Sequence, residues 1–265
     1  MVFAPAGIGH APGTESGPPG GGVWMGSRFK SVIFVLAGAI ATAALAVAIF
    51  GVSTDLSADD KRFAALIMTE AGYEPDHLKK TDGADFEAEV RSIVAVQDAV
   101  LKAAPVNRAI PFGREREPKD IYELKYGLCY DRSRVIEKVL AWLGFQTRHV
   151  SVYSTKKLPW FWALLKPQVD SHAVTEVRTS KGWMVVDSNK RWIGLDAGRD
   201  AVSLSELQSG GVNTWAPEAR DSIHPIFTHS FIQIRGLYSR HGYFYPPYTP
   251  VPDYDVRQLV DNFRG

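Results

Sequence analysis

Only one cysteine, Cys129, occurs among the 265 residues. That scarcity excludes an intramolecular disulfide, a zinc knuckle and an iron–sulfur cluster, each of which needs several thiols. An excess of either charge is also missing: 30 Lys plus Arg stand against 29 Asp plus Glu. A phosphate-tracking chain shows a basic stripe or a high pI, so nucleic acid is not an expected partner. The seven histidines form no His-Glu-x-x-His, and His224 and His229 are ill-spaced for one helix face, so no metal centre is expected. Asp196 and Asp200 lack the dense acidic loop of a calcium site. No glycine-rich phosphate loop joins a strand to a helix, and the serines lack a nucleophile-elbow setting, so no cofactor is expected.

Charge is almost absent from the first part of the chain. Residues 1–52 carry only Glu15, Arg28 and Lys30. Residues 1–30 are rich in Gly and Pro and read as a disordered leader. Residues 31–52 are apolar and uncharged, and about 20 residues at roughly 1.5 Å each match the hydrocarbon core of a bilayer. A core helix rarely stays apolar all round for so long, and a cleaved signal peptide has a shorter apolar region. The run therefore reads as a single membrane-spanning helix. Arg28 and Lys30 precede it, which places the N-terminus in the cytoplasm and the remainder in the periplasm or outside the cell, although Lys61 and Arg62 weaken the bias.

Aromatics and aliphatics are plentiful beyond that point, enough for a real core. Ser57 followed by Asp59 and Asp60 reads as a helix N-cap with an acidic first turn, and Phe63, Leu66, Ile67 and Met68 follow at helical spacing. A second helix is expected from Asp85 to Ala104, ended by Pro105. Residues 53–105 thus read as a helical stalk or packing region, and residues 106–265 as the functional domain.

Within that domain, Pro118 to Tyr126 suits a short helix broken by Gly127. Next, Val135, Ile136, Val139, Leu140 and Leu143 share one helical face, and Gly144 stands at the C-terminal cap position. Cys129 then falls at the start of a helix of about four turns, where unpaired backbone N–H groups and the helix dipole favour a thiolate. Phe145–Tyr153 alternates as a strand. His172–Arg178 reads as another, Thr179–Gly182 as a tight turn and Trp183–Asp187 as the returning strand. If Arg178 pairs with Trp183, His172 and Asp187 become diagonal neighbours on one face, near enough for an imidazole to reach a carboxylate. A thiol, a base and a group that orients the base are the requirements of covalent acyl transfer. The Cys129 helix is expected to pack on the face carrying His172 and Asp187.

These residues resemble the transglutaminase-like cysteine superfamily, of a membrane-anchored bacterial type. The resemblance spans about residues 118–195 and rests on Gly-x-Cys-x-Asp opening a helix that ends in Leu-Gly, then His-Ala-x-x-Glu-Val, then Gly-Trp-x-x-x-Asp. It implies an α+β fold with a papain-like core, the Cys-bearing helix packed on an antiparallel sheet, behind the N-terminal membrane helix and helical stalk. By position it makes Cys129 the nucleophile, His172 the general base and Asp187 the residue orienting that base. The sequence departs from the pattern at Val174, where many members carry an aromatic, and at Ser188-Asn189, which replaces Pro-Thr. The expected substrate is a protein, peptide or other amide, attacked through a Cys thioester that water or an amine resolves. Inactive members exist, so the alternative is a silent scaffold or binding module in envelope or exopolysaccharide assembly. The Cys129 backbone N–H is a candidate oxyanion donor, and Tyr126 lies close in sequence.

Two aromatic stretches complete the reading. Residues 158–165 form either an insertion that buries itself or a lip of the cleft able to dip into a bilayer. Tyr238–Tyr254, rich in Tyr and Pro, is expected to wrap the core as extended chain; carbohydrate binding is its weaker reading.

Overall fold

The computed structural model describes residues 27–81, 83, 85–212, 214–239 and 253–263. The expected leader lies outside the described residues up to position 26. The chain divides into Met1–Ala44 and Leu45–Gly265. Helix α1 (Ser27–Phe50) accounts for the described part of the first unit, with side chains from 30 to 45 exposed. Among the described residues no helix is long and apolar enough to cross a membrane; the side chains described on α1 are those of 30–46. The expected span over 31–52 also overruns the helix. Gly51 leaves it to bridge Tyr254, and the buried Val52 donates its N–H to the Tyr254 carbonyl at 2.8 Å. Those two residues belong to the folded second unit, where their backbone groups find partners.

In that unit α2 (Ala58–Glu70) begins at Ser57, the expected N-cap, whose hydroxyl accepts from the Asp60 N–H while Asp60 accepts from the Ser57 N–H. Helix α3 (Phe86–Ala103) is capped by Asp85. Then come α4 (Pro118–Leu124), α5 (Cys129–Trp142), β1 (Thr147–Ser154), α6 (Trp160–Leu165), β2 (Ser171–Thr179), β3 (Gly182–Asp187), α7 (Leu204–Ser209), β4 (Phe231–Arg235), β5 (Leu237–Tyr238), β6 (Asp253–Tyr254) and α8 (Val256–Val260). Strands β3-β2-β1-β4 form one antiparallel sheet, and β5 pairs with β6. The architecture is α+β and carries the expected antiparallel sheet and Cys-bearing helix.

One core joins α2, α3 and α5 to the sheet through Ile67, Met68, Ile93, Val96, Ile136 and Val139. Each fully buried aliphatic there contributes about 1.5–3 kcal/mol before ordering costs. Helices within 53–105 are therefore packing elements of this domain and not a separate stalk. A second cluster covers the opposite sheet face, where Val150, Val152, Val174 and Val185 meet Trp192, Phe227 and Phe231. The C-terminal end is tied in by a buried polar group: Tyr238 Oη and Gln258 Nε2 both donate to Glu137 on α5, and Gln258 Oε1 accepts from the His149 N–H. Most of the expected Tyr/Pro wrap, residues 240–252, lies outside the described residues.

Candidate active site

The site begins at a tight approach between α4 and α5. Lys125, at φ 57°, ends α4 in the left-handed region, two residues before the glycine expected to break it. Gly127 serves a different need: a Cβ there would sit 2.6 Å from Ile121 Cδ1. The chain can therefore turn closely over α4 and start α5 at Cys129. Asp131 fixes this start by accepting the Leu128 N–H at 2.8 Å. Buried Arg116 lies beside it, Nε 3.0 Å from Asp131 Oδ1 but off the hydrogen-bonding direction. Burial pushes the Asp131 carboxyl up to about 6, against the pull of the Leu128 N–H and Arg116. As the first helical residue, Cys129 leaves its N–H without an intrahelical acceptor. The side chain is half-buried, packed with Leu128, Tyr130 and Ala173.

The hairpin pairs Arg178 with Trp183 and Val174 with Asp187, which puts His172 and Asp187 on one face, as the register arithmetic requires. His172 Nε2 lies 3.2 Å from Asp187 Oδ2, with both residues buried. Asp187 Oδ1 accepts the N–H groups of Asn189 at 2.7 Å and Lys190 at 3.0 Å. Burial alone would raise the Asp187 carboxyl, but His172 and the Asn189 N–H hold it below the usual carboxylate range. Burial would likewise lower His172, yet Asp187 and the neighbouring Cys129 thiol push it up to about 10. With Nε2 committed to Asp187, Nδ1 is the nitrogen left for sulfur. The structure thus brings Cys129, His172 and Asp187 together.

The helix does not lie where it was expected. The face bearing His172, Val174 and Asp187 meets the Trp192 and Phe227 cluster, whereas α5 packs on the opposite face, where Ser133 meets Thr175 and His149. Small residues make this possible, since Ala173 and Thr175 let the helix come close. Cys129 packs on Ala173 near the start of β2, beside His172.

Several positioning residues carry no sequence signature. His224 stacks on His172, ring centroids 4.1 Å apart and planes at 7°. Its Nδ1 accepts the Ile226 N–H at 3.3 Å, which leaves Nε2 as the protonated nitrogen of the neutral ring. Burial, His172 and Lys190 push His224 down to about 4, against the opposing effect of Asp187. Buried Gln97 on α3 directs its amide nitrogen at the carbonyls of Asp187, Lys190 and Trp192, fixing the loop behind the carboxylate. Arg132, one turn into α5, donates to Asn189 Oδ1 at 2.6 Å and to the Ala104 carbonyl at 2.9 Å. Ser188 Oγ donates to the Ala173 carbonyl. The departure at Ser188-Asn189 is thereby accounted for: both side chains bind the loop to β2 and α5. Tyr126 lies under the Arg108 guanidinium, 4.9 Å from its ring centre.

Elsewhere, Trp160, Phe161, Trp162 and Leu165 of α6 are exposed and only Ala163 is buried, so this insertion does not bury its aromatics. Among the described residues no group of three or more His, Cys, Asp or Glu side chains could hold a metal ion.

Residues 78–188 match the sequence model of the transglutaminase-like superfamily. The match includes α3, the Cys129 helix and the whole His172–Asp187 hairpin. Among solved structures, a Cytophaga hutchinsonii protein described as a proposed cysteine protease aligns at 16% identity and a TM-score of 0.33. The alignment covers 51% of this chain, and this chain spans only 43% of that protein. No curated protein matches.

Proposed function

We propose that the protein is a cysteine enzyme that attacks amides or esters through a thioester on Cys129. The observation that supports it most directly is the buried His172–Asp187 pair, with the Cys129 thiol near enough to help raise the imidazole. In this reading the thiol proton rests on His172 as an imidazolium stabilised by Asp187. The Cys129 thiolate adds to the carbonyl carbon, and the developing oxyanion accepts the Cys129 backbone N–H. His172 passes its proton to the leaving amine as the C–N bond breaks and a thioester remains. Water or an amine then attacks that thioester. His172 takes the proton of the nucleophile, and the thiolate leaves with release of an acid or a new amide.

The same proposal places the enzyme at a membrane, anchored by the uncharged apolar run near residues 31–50 with Arg28 and Lys30 on the cytoplasmic side. The expected substrates are amide-bearing proteins or peptides outside the cytoplasm. A C-terminal reporter active only outside the cytoplasm should work, and activity only from a cytoplasmic reporter would reverse the orientation. For the chemistry, intact-protein mass spectrometry during turnover should find a hydroxylamine-sensitive acyl adduct on Cys129 that Cys129→Ala lacks. An adduct that persists in Cys129→Ala, or none at all in a protein that turns over substrate, would remove the covalent mechanism and leave the scaffold reading.

A further inference from the structure

Two clefts of about 320 Å³ and 260 Å³ open beside the loop between β1 and α6, and both are lined by Lys156, Lys157 and Asp170. The larger is walled by His224 and His229, and the smaller extends to Lys166. Because His224 stacks on His172, the larger cleft ends one ring away from the imidazole. Its charge is one-sided. Several lysines elsewhere have carboxylate partners, as in Lys80–Glu89, Lys102–Asp98, Lys138–Asp60 and Lys181–Asp200. Among the described residues no carboxylate lies within 4.0 Å of the ammonium groups of Lys156, Lys157 or Lys166; Lys156 Nζ instead faces His229 Nε2 at 3.2 Å. Lys190, which helps keep His224 neutral, adds positive charge near that ring. Three lysines against the single carboxylate of Asp170 leave the clefts uncompensated, a field that concentrates anions.

We propose that this cleft binds an acidic group of the acyl substrate, a carboxylate carried close to the amide that Cys129 attacks. The inference rests on the cysteine chemistry proposed above and names its substrate class. Lys156 and Lys157 receive the carboxylate, while His224 separates it from the reacting carbonyl and keeps the two charges in distinct compartments.

The test uses two dipeptidyl vinyl sulfones that differ only in bearing Glu or Gln next to the warhead, applied to the full chain. The thiolate adds to the vinyl carbon β to the sulfone, the one bonded to the peptide, and forms the C–S bond. The π pair moves to the carbon beside the sulfone, which takes the proton from the His172 imidazolium. The Glu probe should label Cys129 roughly five- to tenfold faster than the Gln probe at low salt, the size expected of a few exposed charges. That ratio should shrink in high salt, fall toward one in K156Q/K157Q and return in K156R/K157R. Equal rates in the wild type, or a preference that survives K156Q/K157Q, overturns the cleft assignment. Labelling by iodoacetamide but by neither vinyl sulfone also overturns it, and leaves the reactive thiol standing. A folded protein whose Cys129 resists all three reagents overturns the cysteine chemistry, and this inference with it.

Discussion

Replacing Asp187 with Asn tests the electrostatic reasoning at its centre. The substitution keeps shape and volume, and an amide oxygen can still accept the N–H groups of Asn189 and Lys190 now held by Oδ1. The other terminus then becomes an NH2 group facing His172 Nε2, 3.2 Å away. Two donors cannot face each other, so Nε2 must lose its proton and Nδ1, toward the thiol, must carry one. The imidazolium loses its counter-charge. His172 stands at about 10 in place of about 6.5. At about 1.4 kcal/mol per pH unit, that rise is worth on the order of 5 kcal/mol, shared between Asp187 and the Cys129 thiol. Turnover should fall by roughly 10³–10⁴, as expected when a base is left in the wrong tautomer. The assay is the rate of Cys129 alkylation by iodoacetamide against pH. In the wild type, where His172 stays protonated up to about pH 10, alkylation should already be fast near neutral pH, whereas in Asp187→Asn it should be slow there and rise only at higher pH. Stability should follow the same window. A raised histidine stabilises the fold fully below its unfolded value near 6.5 and loses the contribution as pH approaches 10. The variant should therefore lose most Tm near pH 6 and least above pH 10. An unchanged alkylation profile in Asp187→Asn would refute the relay.

His224→Ala should slow alkylation of Cys129 by roughly tenfold, because it removes the ring that holds His172 flat, while His224→Phe should restore most of the rate by restoring the stack; equal effects of the two variants would show that stacking is not what positions His172. A separate prediction concerns acid lability. His149 is buried against Tyr238, with centroids 4.2 Å apart, and burial with Arg134 nearby pushes it down to about 3. Between pH 6.5 and 3 the unfolded chain binds a proton that the native His149 refuses, so stability falls with pH, by up to about 5 kcal/mol at the acid end. Urea unfolding from pH 7 to 4 should give a shallower slope for His149→Asn than for the wild type, and identical slopes would count against this assignment.

The local parts of the fold were legible in the sequence because their signals are local. Ser57 and Asp60 form their cap within one turn, and the Arg178–Trp183 register follows from a short turn that fixes every later pair. Cys129, His172 and Asp187 are legible in the same way, one at a helix start and two within a single hairpin. His224 and Gln97 were not legible. Each lies far along the chain from the residue it supports, 52 positions from His172 and 90 from Asp187, and neither sits in a spacing that chemistry demands. A lone histidine in a loop and a glutamine on an amphipathic helix have no periodic signature. The end of α1 was misplaced for a related reason: apolar Val52 extends the hydrophobic run, and only its pairing with Tyr254, some 200 residues away, takes it into the domain.

The misassigned helix face has a consequence for the site as a whole. Hairpin register decides that His172 and Asp187 share a face, but it cannot decide which face a helix covers, since Val174 and Val177 offer apolar surface on both sides of β2. Side-chain size decides it: Ala173, Thr175 and Ser133 allow close approach, and the Ser133–Thr175 and Ser133–His149 contacts satisfy the two hydroxyls and His149 Nδ1. Had α5 packed on the His172 face, it would have covered the ring now flanked by His224 and Phe227. With Cys129 beside the start of β2, Nδ1 remains available to the thiol while the ring face stays open to the loop that carries His224. The cleft lined by Lys156, Lys157 and His229 exists beside the imidazole because the helix lies on the other side. Enlarging the small contact tests this dependence. Ala173→Val should push the start of α5 off β2, slowing alkylation of Cys129 while leaving the His172–Asp187 pair in place. A crystal structure of that variant with the Cys129–His172 contact unchanged would refute the packing argument.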